Sequence, residues 1–218
     1  MSIALLSDYP LPTPNLYREA KVAWPLQTRR SALLIHDMQD YFVNFYERKD
    51  GLISDVIGNI VRLKAWCRAH GIPVYYSAQP AQQNPQDRGL LTDMWGSGLT
   101  ARPELAGIVQ ALAPQAQDRM LVKWRYSAFF RSDLARQLAD EGRDQLIICG
   151  VYAHIGVLQT AADAFMQGIQ PFVVGDAVAD FSQADHLNAL QYVQRNLGVV
   201  KTLADVVEPV PAAAAVCA

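Results

Sequence analysis

Cysteine is scarce: Cys67, Cys149 and Cys217 are the three in a chain of 218 residues. None forms a C-x-x-C pair or falls at Cys/His metal spacing, and an odd count supplies no disulfide framework. The reading is reduced thiols in a cytosol. Charge is also sparse, at 18% of residues and a net −2, so nothing general attracts nucleic acid or a membrane surface. A small anionic ligand would have to be held by local cations. No run approaches the roughly 18 uninterrupted apolar residues of a membrane span. The opening, MSIALLSDYPLP, has no basic region followed by an apolar run, so no signal peptide is expected and the predicted location is the cytoplasm.

Apolar residues make up 51% of the chain, enough for a large core. The length suits one α/β domain, read as residues 1–208, with the Pro/Ala-rich 209–218 (PVPAAAAVCA) as a fraying tail or the start of a linker. Pro10, Pro12, Pro14 and Pro25 make the first thirty residues an irregular arm, lying on the surface or on a partner. Short apolar runs at 31–37, 72–78, 120–124, 145–149, 171–175 and 199–202 read as strands. Helical spacing or caps predict helices over 53–70, 103–112, 132–141, 155–167 and 182–196. Residues 79–100, with two prolines and three glycines, read as a long irregular loop and a candidate ligand lid. Strand and helix in alternation imply a Rossmann-like, three-layer α/β/α fold around a six-stranded parallel sheet.

In such sheets ligands bind beyond the carboxyl ends of the strands. Asp37 ends the first strand, Gln79 the second and Lys123 the third, followed by Trp124, Arg125 and Tyr126. The fourth runs into Gly150-Val-Tyr152-Ala-His154-Ile-Gly156. An acid, an amide, a cation and a glycine-bounded turn therefore meet at one edge. A helix starting near Ile155 would aim backbone N–H groups there, which suits an anion.

The stretches LLIHDMQDYF, VYYSAQP, LVKWRYSAFF, GVYAHIG and DAVADFS together resemble the isochorismatase-like hydrolases, a family that includes nicotinamidases and related amidases. The resemblance covers about residues 5 to 208. In the amidase branch a cysteine nucleophile lies six residues after the glycine of the fourth turn; here that register holds Gly156. Acyl transfer through a covalent intermediate needs a thiolate or alkoxide, and glycine supplies neither. The amidases' metal-binding Asp-x-His is replaced by Ser77-Ala78-Gln79, so neither a metal nor another cofactor is expected.

The isochorismatase branch is what the resemblance leaves. It implies hydrolysis of the enol-pyruvyl ether of isochorismate to 2,3-dihydro-2,3-dihydroxybenzoate and pyruvate, with Asp37 as general acid toward the terminal methylene. That role needs a protonated carboxyl, which burial beside an anionic substrate favours. Lys123 is implied at a substrate carboxylate or hydroxyl, and Arg88 and Gln79 as substrate binders, arginine suiting planar carboxylates. Phe42, Trp95, Tyr126 and Tyr152 are expected to wall the pocket and offer hydroxyls, and Gly156 to leave room for substrate. His36 is read as structural, facing the other side of its strand. His154 is read as a hydrogen-bonded structural histidine, and His70 and His186 as surface helix residues. Open alternatives are the same reaction on 2-amino-2-deoxyisochorismate, as in phenazine assembly, or a Cys-dependent amidase. The resemblance also implies a homodimer, and a carrier-domain or synthetase partner in siderophore assembly.

Overall fold

Strand β1 (Ser31–His36) is buried along its whole length. Alternation sends Leu33 and Ile35 into one core and Ala32 and Leu34 into another. The split recurs in β4 (Gln145–Val151), where Ile147 and Cys149 face the first core and Leu146 and Ile148 the second. Strands apolar on both faces need a helical layer on each side. That is the arrangement in the computed structural model, which describes residues 3–17 and 20–208.

The remaining strands are β2 (Val74–Ala78), β3 (Arg119–Val122), β5 (Gln170–Ala179) and β6 (Val199–Lys201). All six form one sheet in the order β3-β2-β1-β4-β5-β6, each neighbouring pair parallel. The expected three-layer fold is therefore the observed one. The helices are α1 (Asp40–Val43), α2 (Leu52–Ala69), α3 (Pro85–Arg88), α4 (Leu91–Trp95), α5 (Leu134–Asp140), α6 (Leu158–Met166), α7 (Gln183–Asn196) and α8 (Leu203–Val207). Helices α2 and α8 cover one face through Val56, Ile60, Leu63 and Leu203. Helices α5, α6 and α7 cover the other through Leu134, Leu138, Ala161, Leu190 and Val193. The chain runs outward from β1 to β3, then returns to place β4 on β1's free side. The order reverses between β1 and β4, and such a switch point opens a crevice at the carboxyl edge.

Several local expectations need correction. Residues 79–100 are not irregular: they hold α3, α4 and a 3-10 turn at Gly98–Ala101. Asn84 starts α3 by accepting the Asp87 N–H at 2.8 Å, with Pro85 in the first turn. The helix expected over 103–112 is instead two 3-10 turns, Pro103–Leu105 and Gln110–Leu112. Between them Asp40 N–H bonds to Gly107 O and Val109 N–H to Met38 O, drawing the segment onto the chain after β1. Ser132 Oγ accepts the N–H of Leu134, the first residue of α5, at 3.3 Å, as a capping serine was expected to, but from one place before the N-cap. Asp133 is the N-cap, and the Ser132 hydroxyl donates to Ala128 O at 2.6 Å.

Strand β5 outruns its expected end by four residues because the β4 register shifts between Ile148 and Gly150. Helix α6 is preceded by a π turn, Ala153–Val157. Helices α1 and α8 have no counterpart among the expected elements; Thr202 and Asp205 close α8 with a capping box. His186 is fully buried rather than on the surface: its ring meets Tyr9 Oη at 3.1 Å and Gly175 O at 3.0 Å. The proline-rich arm lies on its own domain. Leu6 exchanges backbone hydrogen bonds with Phe45 and Glu47, and the Gln145 side chain holds Pro25 O and Gln27 N–H. The predicted tail lies outside the described residues. Among those described, no helix is long and apolar enough to cross a membrane.

Candidate active site

The crevice at the switch point is a partly enclosed cleft with about 60 Å³ of free space. All nine residues expected at the site line it: Asp37 and Lys123, Gln79 and Arg88, the aromatics Phe42, Trp95, Tyr126 and Tyr152, and Gly156. They come from the ends of β1, β2, β3 and β4 and from α1 and the α3–α4 segment.

Asp37 follows β1 directly and is 4% exposed. Its N–H continues the ladder to Ser77 O at 3.1 Å, but its φ is +50°. A left-handed non-glycine residue costs of order 1–3 kcal/mol and persists only where its surroundings fix it. Here both carboxylate oxygens are held: Oδ1 accepts from Ser77 Oγ at 2.8 Å, and Oδ2 from Lys123 Nζ at 2.6 Å. Lys123 is 3% exposed, and its own N–H bonds to Ala78 O. Three adjacent parallel strands thus present ammonium, hydroxyl and carboxylate in a row.

Strict alternation would aim His36 away from the cleft, yet it lines the cleft too. Its ring is fully buried, with Nδ1 2.8 Å from Val151 O and Nε2 3.3 Å from Tyr126 O. Burial pushes its pKa down to about 4, so at neutral pH the ring is uncharged. A neutral imidazole has one N–H, which the shorter contact assigns to Nδ1. A Cβ on Gly156 would meet His36 Cε1 at 2.1 Å. Glycine at 156 is therefore required by the imidazole. The residue lines the cleft as expected, and the imidazole gives a packing reason for glycine there. A Cβ on Gly150 (φ +109°) would strike His36 O at 2.1 Å, so β1 and β4 approach more closely than any side chain permits.

Arg88 is 5% exposed. Its Nε donates to Gly96 O at 2.7 Å and its Nη1 to Gln83 Oε1 at 3.0 Å. Among the described residues it has no ion-pair partner, and burial lowers its pKa from the usual arginine value. Buried cations are ordinarily paired; here both acceptors on the guanidinium are neutral. The Gln79 side-chain amide likewise has no partner among the described residues, while its backbone is clamped by Gln39 (Gln39 Oε1 to Gln79 N, 2.8 Å; Gln39 Nε2 to Gln79 O, 2.9 Å).

The aromatic wall is a chain of edge contacts. Phe42 meets Tyr152 at 6.0 Å, Tyr152 meets Phe181 at 4.7 Å, and Phe181 meets Trp95 at 6.1 Å. Trp95 Nε1 donates to Tyr126 Oη at 2.9 Å, which leaves the Tyr126 O–H free to donate. The Tyr152 hydroxyl does not face the cleft as a donor: it gives its proton to Phe42 O at 2.8 Å, and burial raises its pKa well above the usual value. The π turn before α6 does not offer all its N–H groups to an anion either. Asp180 takes the His154 N–H at 2.7 Å and the His154 ring at 2.5 Å, while Tyr152 O takes the N–H groups of Ile155 and Val157. His154 is the structural partner expected, its pKa raised by that carboxylate against the opposing effect of burial.

Sequence reasoning missed Ser77, Tyr41, Gly98, Phe181 and Ile3 of the arm. Phe181 lay inside the DAVADFS stretch, and Ser77 was the one hydroxyl of its kind in the second apolar run. Tyr41 lay inside the LLIHDMQDYF stretch and Gly98 inside the candidate lid, whereas nothing local marked Ile3. None of the cleft-lining residues is Cys or Ser. Cys149 is sealed in the sheet, where burial pushes its pKa well up, and Cys67 is pushed up to about 12. No group of three or more His, Cys, Asp or Glu among the described residues is arranged to hold a metal ion.

Comparison with known proteins places this geometry. The isochorismatase domain matches residues 31–205. Enterobactin synthase component B of Escherichia coli K12 is 52% identical over 216 residues, covering 99% of this chain and 76% of that protein. An isochorismatase of Bacillus subtilis is 50% identical over 192 residues (88% and 62%). The phenazine biosynthesis protein PhzD of Pseudomonas fluorescens is 47% identical over 205 residues (94% and 98%). Among solved structures, a cysteine hydrolase of Pseudomonas syringae pv. phaseolicola superposes with a TM-score of 0.73 at 24% identity, covering 91% of this chain and 96% of that one. At that identity the likeness is one of fold alone.

Proposed function

The chain belongs to the isochorismatase family, and on that premise we propose that it hydrolyses isochorismate to 2,3-dihydro-2,3-dihydroxybenzoate and pyruvate. The observation that carries the mechanism is Asp37, pinned by Ser77 and Lys123 at the wall of a cleft whose lining has no Cys or Ser nucleophile. Asp37 in its acid form gives its proton to the terminal methylene of the enol ether, making a methyl group and an oxocarbenium ion. Water adds to that cation and returns a proton to the Asp37 carboxylate. The resulting hemiketal breaks its C–O bond to release pyruvate and leave a hydroxyl on the ring. The substrate brings two carboxylates. Arg88 takes one in a bidentate contact, and Lys123 turns from Asp37 toward the other. Gln79 and the Tyr126 hydroxyl hold the ring oxygens, and Phe42, Trp95 and Tyr152 exclude water.

A ring hydroxyl suits this cleft better than the amine of 2-amino-2-deoxyisochorismate. Asp37 is the one carboxylate in the lining, and Ser77 and Lys123 already engage it. The likeness to the enterobactin synthase component supports a siderophore setting with other synthetase components as partners; action in the cytoplasm as a homodimer is part of the same proposal. Pyruvate release from isochorismate, coupled to lactate dehydrogenase, tests the activity. In D₂O the product must carry one solvent deuterium in its methyl group; unlabelled pyruvate would sink carbon protonation. A higher kcat/KM for the amino analogue would reverse the substrate choice, and strong inhibition by a thiol blocker would revive the amidase alternative.

A further inference from the structure

We propose that Gln83 is a positioning residue that keeps the Arg88 guanidinium uncompensated, so that its full charge is spent on a substrate carboxylate. This rests on the reading of Arg88 as the carboxylate contact. Gln83 is 9% exposed and stands on the segment leading into α3, outside the cleft lining. Its Oε1 accepts from Arg88 Nη1 at 3.0 Å, and Gly96 O accepts from Nε at 2.7 Å. Both acceptors are neutral, so the guanidinium is oriented on two sides without being discharged. The third nitrogen, Nη2, lies against Gly98, where a Cβ would meet it at 2.3 Å. Gly98 itself lines the cleft.

Two features set this apart from ordinary loop packing. The Gln83 Nε2 is buried without a hydrogen-bond partner among the described residues. An amide chosen for packing alone would satisfy both ends; this one is held by what its oxygen does. A glutamate at the same place would reach the same nitrogen and form a buried ion pair, the usual partner for a buried arginine. Neutrality at position 83 is thus the feature that leaves Arg88 available. Arg125 shares the region, and its charge also acts on Arg88 and adds to the attraction for an anion.

The test is steady-state turnover of isochorismate by Gln83→Glu and Gln83→Met, with Arg88→Met as control and thermal melting of each. Gln83→Glu is expected to raise KM by about tenfold or more with kcat within about threefold, because uniform substrate binding is lost and chemistry is not. Its melting temperature should hold, since the new carboxylate pairs with the arginine. A residue with only a structural role would instead lower stability and kcat together and leave KM alone. Gln83→Met keeps neutrality but removes the orienting oxygen, so it should raise KM less than Gln83→Glu; if the glutamate variant does not fold, an unchanged KM in Gln83→Met overturns the positioning role. Wild-type KM in both Gln83 variants, with KM raised in Arg88→Met, overturns the positioning role and spares the Arg88 contact. Wild-type KM in Arg88→Met overturns the contact itself.

Discussion

Replacing Gly156 with alanine adds one methyl group in the turn that leads into α6. The new Cβ would sit 2.1 Å from His36 Cε1 and 2.7 Å from Nε2. Ordinary contact needs more than an ångström of retreat. The imidazole cannot give that distance freely, because it is fully buried and its Nδ1 is bound to Val151 O at 2.8 Å. Overpacking a core costs about 1–3 kcal/mol, and a buried hydrogen bond lost without replacement costs about 1–3 kcal/mol more. The variant should therefore lose about 3 kcal/mol, which for a chain of this size lowers Tm by roughly 6–12 °C. Calorimetry of Gly156→Ala measures it directly. Adding His36→Ala should recover part of the loss, since the smaller side chain makes the room. A Gly156→Ala protein melting within about 1 °C of the parent would refute the packing argument. The same crowding makes Gly156→Cys a poor route to an amidase, because the sulfur has no place beside the ring.

Other outcomes follow from the same geometry. Lys123→Met leaves the Asp37 carboxylate buried without its 2.6 Å partner and should cost about 3–5 kcal/mol in urea unfolding. Adding Asp37→Asn should restore most of that, and a coupling energy below about 0.5 kcal/mol would contradict a true pair. His36 and His186 both have folded-state pKa values lowered to about 4 by burial. The unfolded chain therefore binds more protons between about pH 4 and 6.5, so their stabilising contribution is complete above about 6.5 and lost as pH falls toward 4, by about 3 kcal/mol each. His154, its pKa raised, works in the opposite direction as pH climbs past its ordinary value. Unfolding free energies that stay flat from pH 7 to 4.5 would speak against this. Tyr126→Phe removes the acceptor of the Trp95 indole N–H and should weaken kcat/KM by about tenfold; unchanged kinetics would remove Tyr126 from the substrate contacts.

The layers of the fold were readable because the strands are apolar on both faces and the helices carry their stripe at helical spacing. The central runs, Leu33 to Ile35 and Leu146 to Cys149, belong to continuous apolar stretches too short for a buried helix, which leaves a buried strand. The errors cluster where long-range contacts decide local form. The 103–112 segment looks helical by composition, but hydrogen bonds to the chain after β1 claim it. The tip of β5 is extended by a register shift that no single run of residues encodes. The site residues were placed by motif and by the rule that ligands gather at strand ends. The motif could not reveal that Asp37 has a positive φ, nor that His36 lines the cleft and packs against Gly156. The arm's Ile3, which reaches the cleft from the far end of the chain, had no local signature.

Delivery of the Asp37 proton to carbon is the step on which the proposed chemistry depends, and its most direct test is the turnover of isochorismate by Asp37→Asn. Asparagine keeps the size; its single side-chain oxygen can accept from Lys123 while its NH₂ donates to the Ser77 hydroxyl, and a thermal melt checks that the variant is folded despite the lost counter-charge. Pyruvate formation should fall by about a thousandfold or more with little change in KM. A folded Asp37→Asn enzyme working within about tenfold of the parent would contradict the claim, because an amide has no acidic proton to give.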